Sequence, residues 1–258
     1  MTTIASLLAL PVALFAARSP EPDPAVQAGD AAATRDSTRM TLRAYGVRRT
    51  ARCKSAVQAV KNGISWVLFV AMVGGACERT EKHPPSAVLA EARRQLEERG
   101  RTDQAVREGF GTGGVVDPSQ AQAMERTDSA NTSWLKTYVA EWGWPTAAQV
   151  GRPAVEAAFL IVQHAVHDTA FMRAMLPAIV LAHDRGDLDG GAVAMLTDRI
   201  EVKAGHGQLY GTQLSLKNGR WLLDPIADSA GVDERRRRMG LPPLAEYLRK
   251  VDSVLKSR

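Results

Sequence analysis

The segment from Pro153 to His167 carries Val155, Phe159, Leu160, Ile161, Val162 and Val166, which at about 100° per residue reach every face of a helix. A helix without a polar face belongs in the middle of a fold, and the rest of the chain must wrap around it. Gln163 and His164 then leave water at about a few kcal/mol each unless something bonds them. The neighbouring segments have the lengths and stop signals to do the wrapping. Asp117-Pro118 is an N-cap and first-turn proline pair, and the helix it opens runs to about Trp142, where Gly143 and Pro145 end it. Further helices are expected at Thr169 to Arg185, closed by Gly186 and with Pro177 inside, and at Gly191 to Lys203 before Gly205. Alternation then replaces the helical period: Gln208 to Leu216 and Trp221 to Leu223 flank Asn218-Gly219, a strong hairpin signal. Short helices follow around Val232 to Arg238 and Leu244 to Leu255. The fold class expected is α+β, mostly α, with four to five helices and one antiparallel β-hairpin near the C-terminal third. The middle helices share no residue pattern that would make a repeat array.

Charge separates the first third from the remainder. Of the 258 residues 33 are Lys or Arg and 28 Asp or Glu, and the whole excess of five lies in residues 1–77. Residues 78–258 hold 24 of each sign, so a nucleic-acid partner loses its electrostatic support and none is expected. Between Ser37 and Cys77 there is no acidic residue, and the basic cluster ends at Lys61 just before a 13-residue apolar stretch, Ile64 to Ala76. That is how a secretory signal is built, and the stretch falls short of the roughly 20 apolar residues that a span needs. Gly74-Gly-Ala-Cys77 followed by Glu78-Arg79-Thr80-Glu81-Lys82 resembles a bacterial lipobox, although Gly74 stands where an aliphatic residue is usual. An ordinary cleaved signal with a chance cysteine is the alternative. The expected products are an exported protein, lipidation at Cys77 and a membrane attachment through that lipid. Residues 1–39, with a second apolar run and a Pro/Ala-rich segment, read as an over-extended start. Residues 40–77 read as the signal peptide, 78–116 as a polar helical tether with a helix from Ser86 to Arg99 ending at Gly100, and 117–258 as the compact domain. Gly111-Thr-Gly-Gly114 reads as a connector, because neither a preceding strand nor a following Lys-Ser makes it a phosphate loop. Both cysteines, Cys53 and Cys77, precede the domain, which excludes a disulfide, a thiolate metal site and a cysteine nucleophile there.

Three groups of polar residues sit where a core is expected. His164, His167 and Asp168 share one side of a helix if it continues that far, a spacing that suits a metal ion. The favoured reading is that His167-Asp168 breaks the helix, Asp168 caps the next one and His164 is a hydrogen-bonded core residue, so neither a metal nor another cofactor is expected. Asp198-Arg199 interrupts another apolar helix, either as a structural ion pair or as an Arg oriented for an anionic group with Asp198 fixing it or acting as base. In the strand, Gln208, Tyr210 and Thr212 alternate onto one face, Gln213 lies on the other, and Gly211 allows close approach. They suit sugar or peptide hydroxyls and amides, and internal bonding explains them nearly as well.

Asp128-x-x-Asn131-x-x-Trp-Leu135, Gly143-Trp-Pro145, Val150-Gly151, Gln163-His-Ala165, Asp198-Arg199, Gln208-x-Tyr-Gly-Thr-Gln213 and Asp233-x-x-Arg236 with Gly240-Leu241 occur in this order. The series resembles an uncharacterised bacterial family of unknown function, the one numbered six-six-two-four, over about Thr127 to Tyr247. The resemblance implies a domain and no mechanism. Of the run Arg235 to Arg238 only Arg236 sits on a motif, and the others read as a solvated helix face. Two functions remain open. One is binding of a polar small molecule or cell-envelope polymer, a saccharide or peptide, with Asn131, Gln163, Arg199, Gln208, Tyr210, Thr212, Gln213 and Arg236 as ligand-binding residues. The other is a hydrolase on similar substrates, with His164, Asp128 and Asp198 as the acid-base residues. They differ in whether these side chains meet around one cleft or bond each other in a closed core.

Overall fold

A computed structural model describes residues 83–110 and 116–256. The apolar runs of the first third, Cys77 and the Gly111 to Gly114 connector lie outside the described residues. Helix α1 spans Ser86–Ala105, α2 Pro118–Trp142, α3 Ala147–Val150, α4 Arg152–His164, α5 Thr169–Asp184 and α6 Gly190–Lys203. Strands β1 (Leu214–Lys217) and β2 (Arg220–Leu223) follow, then α7 (Val232–Arg238) and α8 (Leu244–Lys256). The molecule is mostly helical with one antiparallel hairpin, as expected, but the described residues hold eight helices rather than four or five. Only the single turn α3 lies where no helix was expected; α1 and the two C-terminal helices lie where the sequence placed helical segments, which the count of four to five left out. No described helix is long and apolar enough to cross a membrane.

Helix α4 is the centre: α1, α2, α3, α5 and α6 all pack on it, and Val155, Phe159, Ile161 and Val162 are buried. Its start is set by Gly151, at φ 85°, and Pro153. It stops at His164, three residues short of the expected end, and Asp168 begins α5 by accepting a hydrogen bond from the Phe171 amide at 3.0 Å. Asp117 caps α2 in the same way through Ser119 N–H at 2.8 Å.

Helix α1 corrects two expectations. It continues through Gly100 to Ala105, and it is part of the body rather than a tether, because Ala92, Leu96, Gly100 and Asp103 form a buried stripe against α4. Gly100 is not a stop signal: a Cβ there would lie 2.8 Å from the Cβ of Ala157, so its lack of a side chain lets the two helices approach. The packed body therefore begins at Ser86, not at residue 117.

The strand expected from Gln208 is also shorter, since regular pairing starts at Leu214 and runs Leu214 with Leu223 to Lys217 with Arg220. Asn218 (φ 51°) and Gly219 (φ 75°) both take the left-handed conformation that the two-residue turn requires. A small second cluster, Leu214, Tyr247 and Val251, joins the hairpin to α8.

Candidate functional site

Two buried polar centres flank the end of α4. The first lies where α1, α2 and α4 converge. Residues Arg99, Asp103 and Arg107 are four apart along the α1 side and its C-terminal turn, and Asp128, Asn131 and Thr132 occupy one face of α2. Arg107 Nη1 donates to Asp103 Oδ1 at 2.8 Å and to the Asp103 carbonyl at 2.9 Å, while Nη2 donates to Asp128 Oδ1. His164 Nδ1 lies 2.8 Å from the same Asp103 oxygen. Gln104 Nε2 donates to the other Asp103 oxygen at 2.8 Å. One turn away, Arg99 Nη1 donates to Asn131 Oδ1 at 3.0 Å and its guanidinium lies 4.9 Å over the Trp134 ring. Asp103, Arg107, Asp128, Asn131 and His164 are all at most 5% exposed.

Electrostatics separates the two carboxylates. Burial opposes ionisation of Asp103, but the His164 ring and the Arg107 guanidinium outweigh it and hold the carboxyl below its ordinary range. At Asp128 burial wins over the attraction of Arg107, and the carboxyl is pushed up. Burial lowers the His164 pKa, opposed by Asp103 and reinforced by the like charges of Arg107 and Arg199, so the ring is neutral at pH 7. An ionised Asp103 can only accept, which puts the ring proton on Nδ1 and leaves Nε2 as the basic nitrogen.

The second centre surrounds Asp198. Its carboxylate accepts from the amides of Leu209 (2.7 Å), Tyr210 (2.9 Å) and Thr212 (2.9 Å) and from Thr212 Oγ1 (2.8 Å). Gln208 ties the loop to itself, donating to the Gln213 carbonyl at 3.0 Å and the Asp224 carbonyl at 2.7 Å and accepting from Gln213 N–H at 2.8 Å. Arg236, with no exposed surface, donates to the Tyr210 carbonyl at 2.6 Å and to the Pro242 carbonyl at 2.7 Å. Tyr210 supplies backbone groups to this network, and Tyr247 donates its hydroxyl to the Thr212 carbonyl at 3.3 Å. Residues 208–213 are therefore a loop folded around a carboxylate. They do not present alternating side chains to a ligand.

Arg199 links the centres. Its Nε donates to Gln213 Oε1 at 3.0 Å and its Nη1 to the Gln163 carbonyl at 3.1 Å, beside His164. Burial and the charge of Arg107 lower its pKa to about 10. Asp198 accepts from the loop amides while Arg199 donates to Gln213 and the Gln163 carbonyl, and Gln213 and Thr212 join the two residues in one network.

Of the residues singled out from sequence, His164 and Asp128 meet in the first centre, Asn131 lies one turn from Asp128 on α2 and bonds Arg99, and Gln163 precedes His164 with its carbonyl on Arg199. Asp198, Gln208, Tyr210, Thr212, Gln213 and Arg236 meet in the second. His167 and Asp168 join neither, since the helix ends before them and Asp168 pairs with Lys136 at 2.8 Å while capping α5. Asp103, Arg107 and Arg99 were missed because their helix was assigned to a tether. The signal available was Asp103-x-x-x-Arg107, an i, i+4 pair on a helix with a buried stripe.

The three side chains able to surround an ion are Asp103, Asp128 and His164, with one potential ligand atom from each lying within 4.8 Å of the others. Arg107 already stands between the two carboxylates and bonds both.

No curated protein and no solved structure matches the chain. A family model does match, over residues 91–256, a span that reaches back into α1 and takes in Asp103 and Arg107 as well as the motifs from Asp128 to Arg236. The chain belongs to the family of unknown function DUF6624.

Proposed function

We propose that the first centre is the general acid-base site of a hydrolase. Asp103 orients His164 through Nδ1, Nε2 takes a proton from the attacking water, and Asp128, kept protonated more readily than an ordinary carboxyl, supplies a proton to the leaving group. The observation that carries this reading is the convergence of Asp103, Asp128 and His164, one side-chain atom of each within 4.8 Å of the others, with Asp103 bonded to His164 Nδ1; the opposite pKa directions of the two carboxylates agree with separate acid and base roles. The loop around Asp198 is its support, reaching the site through Gln213 and Arg199. The basic segment, apolar stretch and Cys77 of the first third favour export and a lipid anchor, and hence a saccharide or peptide of the cell envelope as substrate. Binding of such a polymer without turnover is the second reading, favoured by buried polar atoms near the site that have no partner, among them Asn131 Nδ2 and Gln163 Oε1.

The test is incubation of the protein with isolated cell-wall polymer, following new reducing ends and new amino groups. Release that falls about 100-fold in His164→Asn and in Asp128→Asn supports the hydrolase. Polymer binding with no release by the wild type moves the assignment to a binding protein. Release that both variants retain overturns the site. The anchor is tested separately by Cys77→Ser, which should leave the membrane fraction; unchanged partitioning contradicts lipidation.

A further inference from the structure

The nine buried side-chain polar atoms that lack a partner among the described residues are not spread evenly. Four belong to the first centre or adjoin it on α2: Arg99 Nε, Arg107 Nε, Asn131 Nδ2 and Thr132 Oγ1. Three of them can only donate and none can only accept, so the surplus is of donors. Charge is uneven within the centre. Arg107 takes both carboxylates, Asp103 and Asp128, and His164 is neutral. The imbalance is at Arg99. Its polar contact is with Asn131 Oδ1, its face lies on Trp134, and no carboxylate pairs with it among the described residues. Burial without a countercharge lowers its pKa, the mark of a cation the surrounding protein does not balance.

A half-buried cation and two adjacent idle N–H donors describe a place for an oxygen-rich anion. We infer that Arg99 and Asn131 form a subsite that recognises an anionic oxygen group of the substrate, a carboxylate or a phosphate, next to the centre that holds His164. An uncharged sugar or an amide would leave Arg99 uncompensated, whereas a carboxylate or phosphate meets the guanidinium and accepts from Arg99 Nε and Asn131 Nδ2. The inference rests on the proposed acid-base site for the word substrate, but the anion subsite itself requires no turnover.

The probes are inorganic phosphate and acetate, titrated into the full chain at constant ionic strength set by chloride. Binding is read from the thermal midpoint and from the side-chain amide resonance of Asn131. A saturable response to phosphate supports a phosphate-bearing substrate, and one to acetate supports a carboxylate-bearing substrate. Either should weaken about tenfold or more in Arg99→Gln and in Asn131→Asp, the second of which keeps the side-chain shape and adds a negative charge. Arg99 is only half-buried, so its variant decides the matter if Asn131→Asp does not fold. No saturable response to either anion overturns the subsite, and so does a response that both variants keep. Anion binding in a protein that releases nothing from cell-wall polymer therefore sinks the hydrolase and leaves the subsite standing, and the reverse pattern does the opposite.

Discussion

At single residues the fold and the site obey different constraints. Gly100 sits inside α1, where helix propensity alone would favour alanine by about 0.5–1 kcal/mol. A Cβ 2.8 Å from Ala157 imposes overpacking of about 1–3 kcal/mol, so Gly100→Ala should lower stability by denaturant unfolding, and a gain would contradict the close approach of α1 to α4. Arg107 stands between two carboxylates and is 2% exposed. Arg107→Leu strands both, and should cost about 3–5 kcal/mol in the same measurement, whereas a surface ion pair such as Arg93 with Glu97 should cost less than about 1 kcal/mol. Little of this was legible beforehand. Gly100 reads as a helix end in sequence because glycine usually is one, and only the partner helix 57 positions later shows what it is for.

Among the elements, the helices with local signals were legible and the loop built by long-range bonds was not. Asp117, Asp168 and Asn218-Gly219 each set a boundary through their own backbone neighbours, and each lies where the sequence placed it. The stretch Gln208 to Gln213 alternates like a strand, yet the Asp198 carboxylate gathers three of its amides and one hydroxyl and bends it into a loop. A side chain ten or more residues away overrode a local period. Asp198→Asn replaces an acceptor by a donor facing those amides, and should destabilise the protein by about 1–3 kcal/mol, with hydrogen exchange at Leu209, Tyr210 and Thr212 rising before the rest. Exchange unchanged at those three amides would show that the loop holds its shape without the carboxylate.

For the whole molecule, half of the buried cluster around Asp103, Arg107, Asp128 and His164 comes from a segment that composition alone reads as a tether. His164 and Asp128 were identifiable as polar residues in apolar surroundings, but Asp103 and Arg107 lie in a polar, charge-rich helix and resemble solvated surface. Their burial follows from the packing of Leu96 and Ala92 on α4, a tertiary fact. Residues 78–258 should fold on their own, since they keep α1 and are charge-neutral. A chain shortened to 117–258 loses the α1 packing and leaves Asp128 without Arg107, and should lack a cooperative thermal transition; a sharp transition at the same midpoint would show that α1 is dispensable. The central claim is that α1, α2 and α4 together hold a neutral, basic imidazole between carboxylates of opposite tendency. Nuclear magnetic resonance titration of His164 measures it directly. The folded pKa should lie below the free value of 6.5 and fall further in Asp103→Asn, which removes the carboxylate that favours the charged ring. Stability linked to this group should then be complete above pH 6.5 and be lost as the pH falls through the folded value, because the unfolded chain binds the proton first. A His164 that titrates at 6.5 or above, unmoved by Asp103→Asn, would contradict the account.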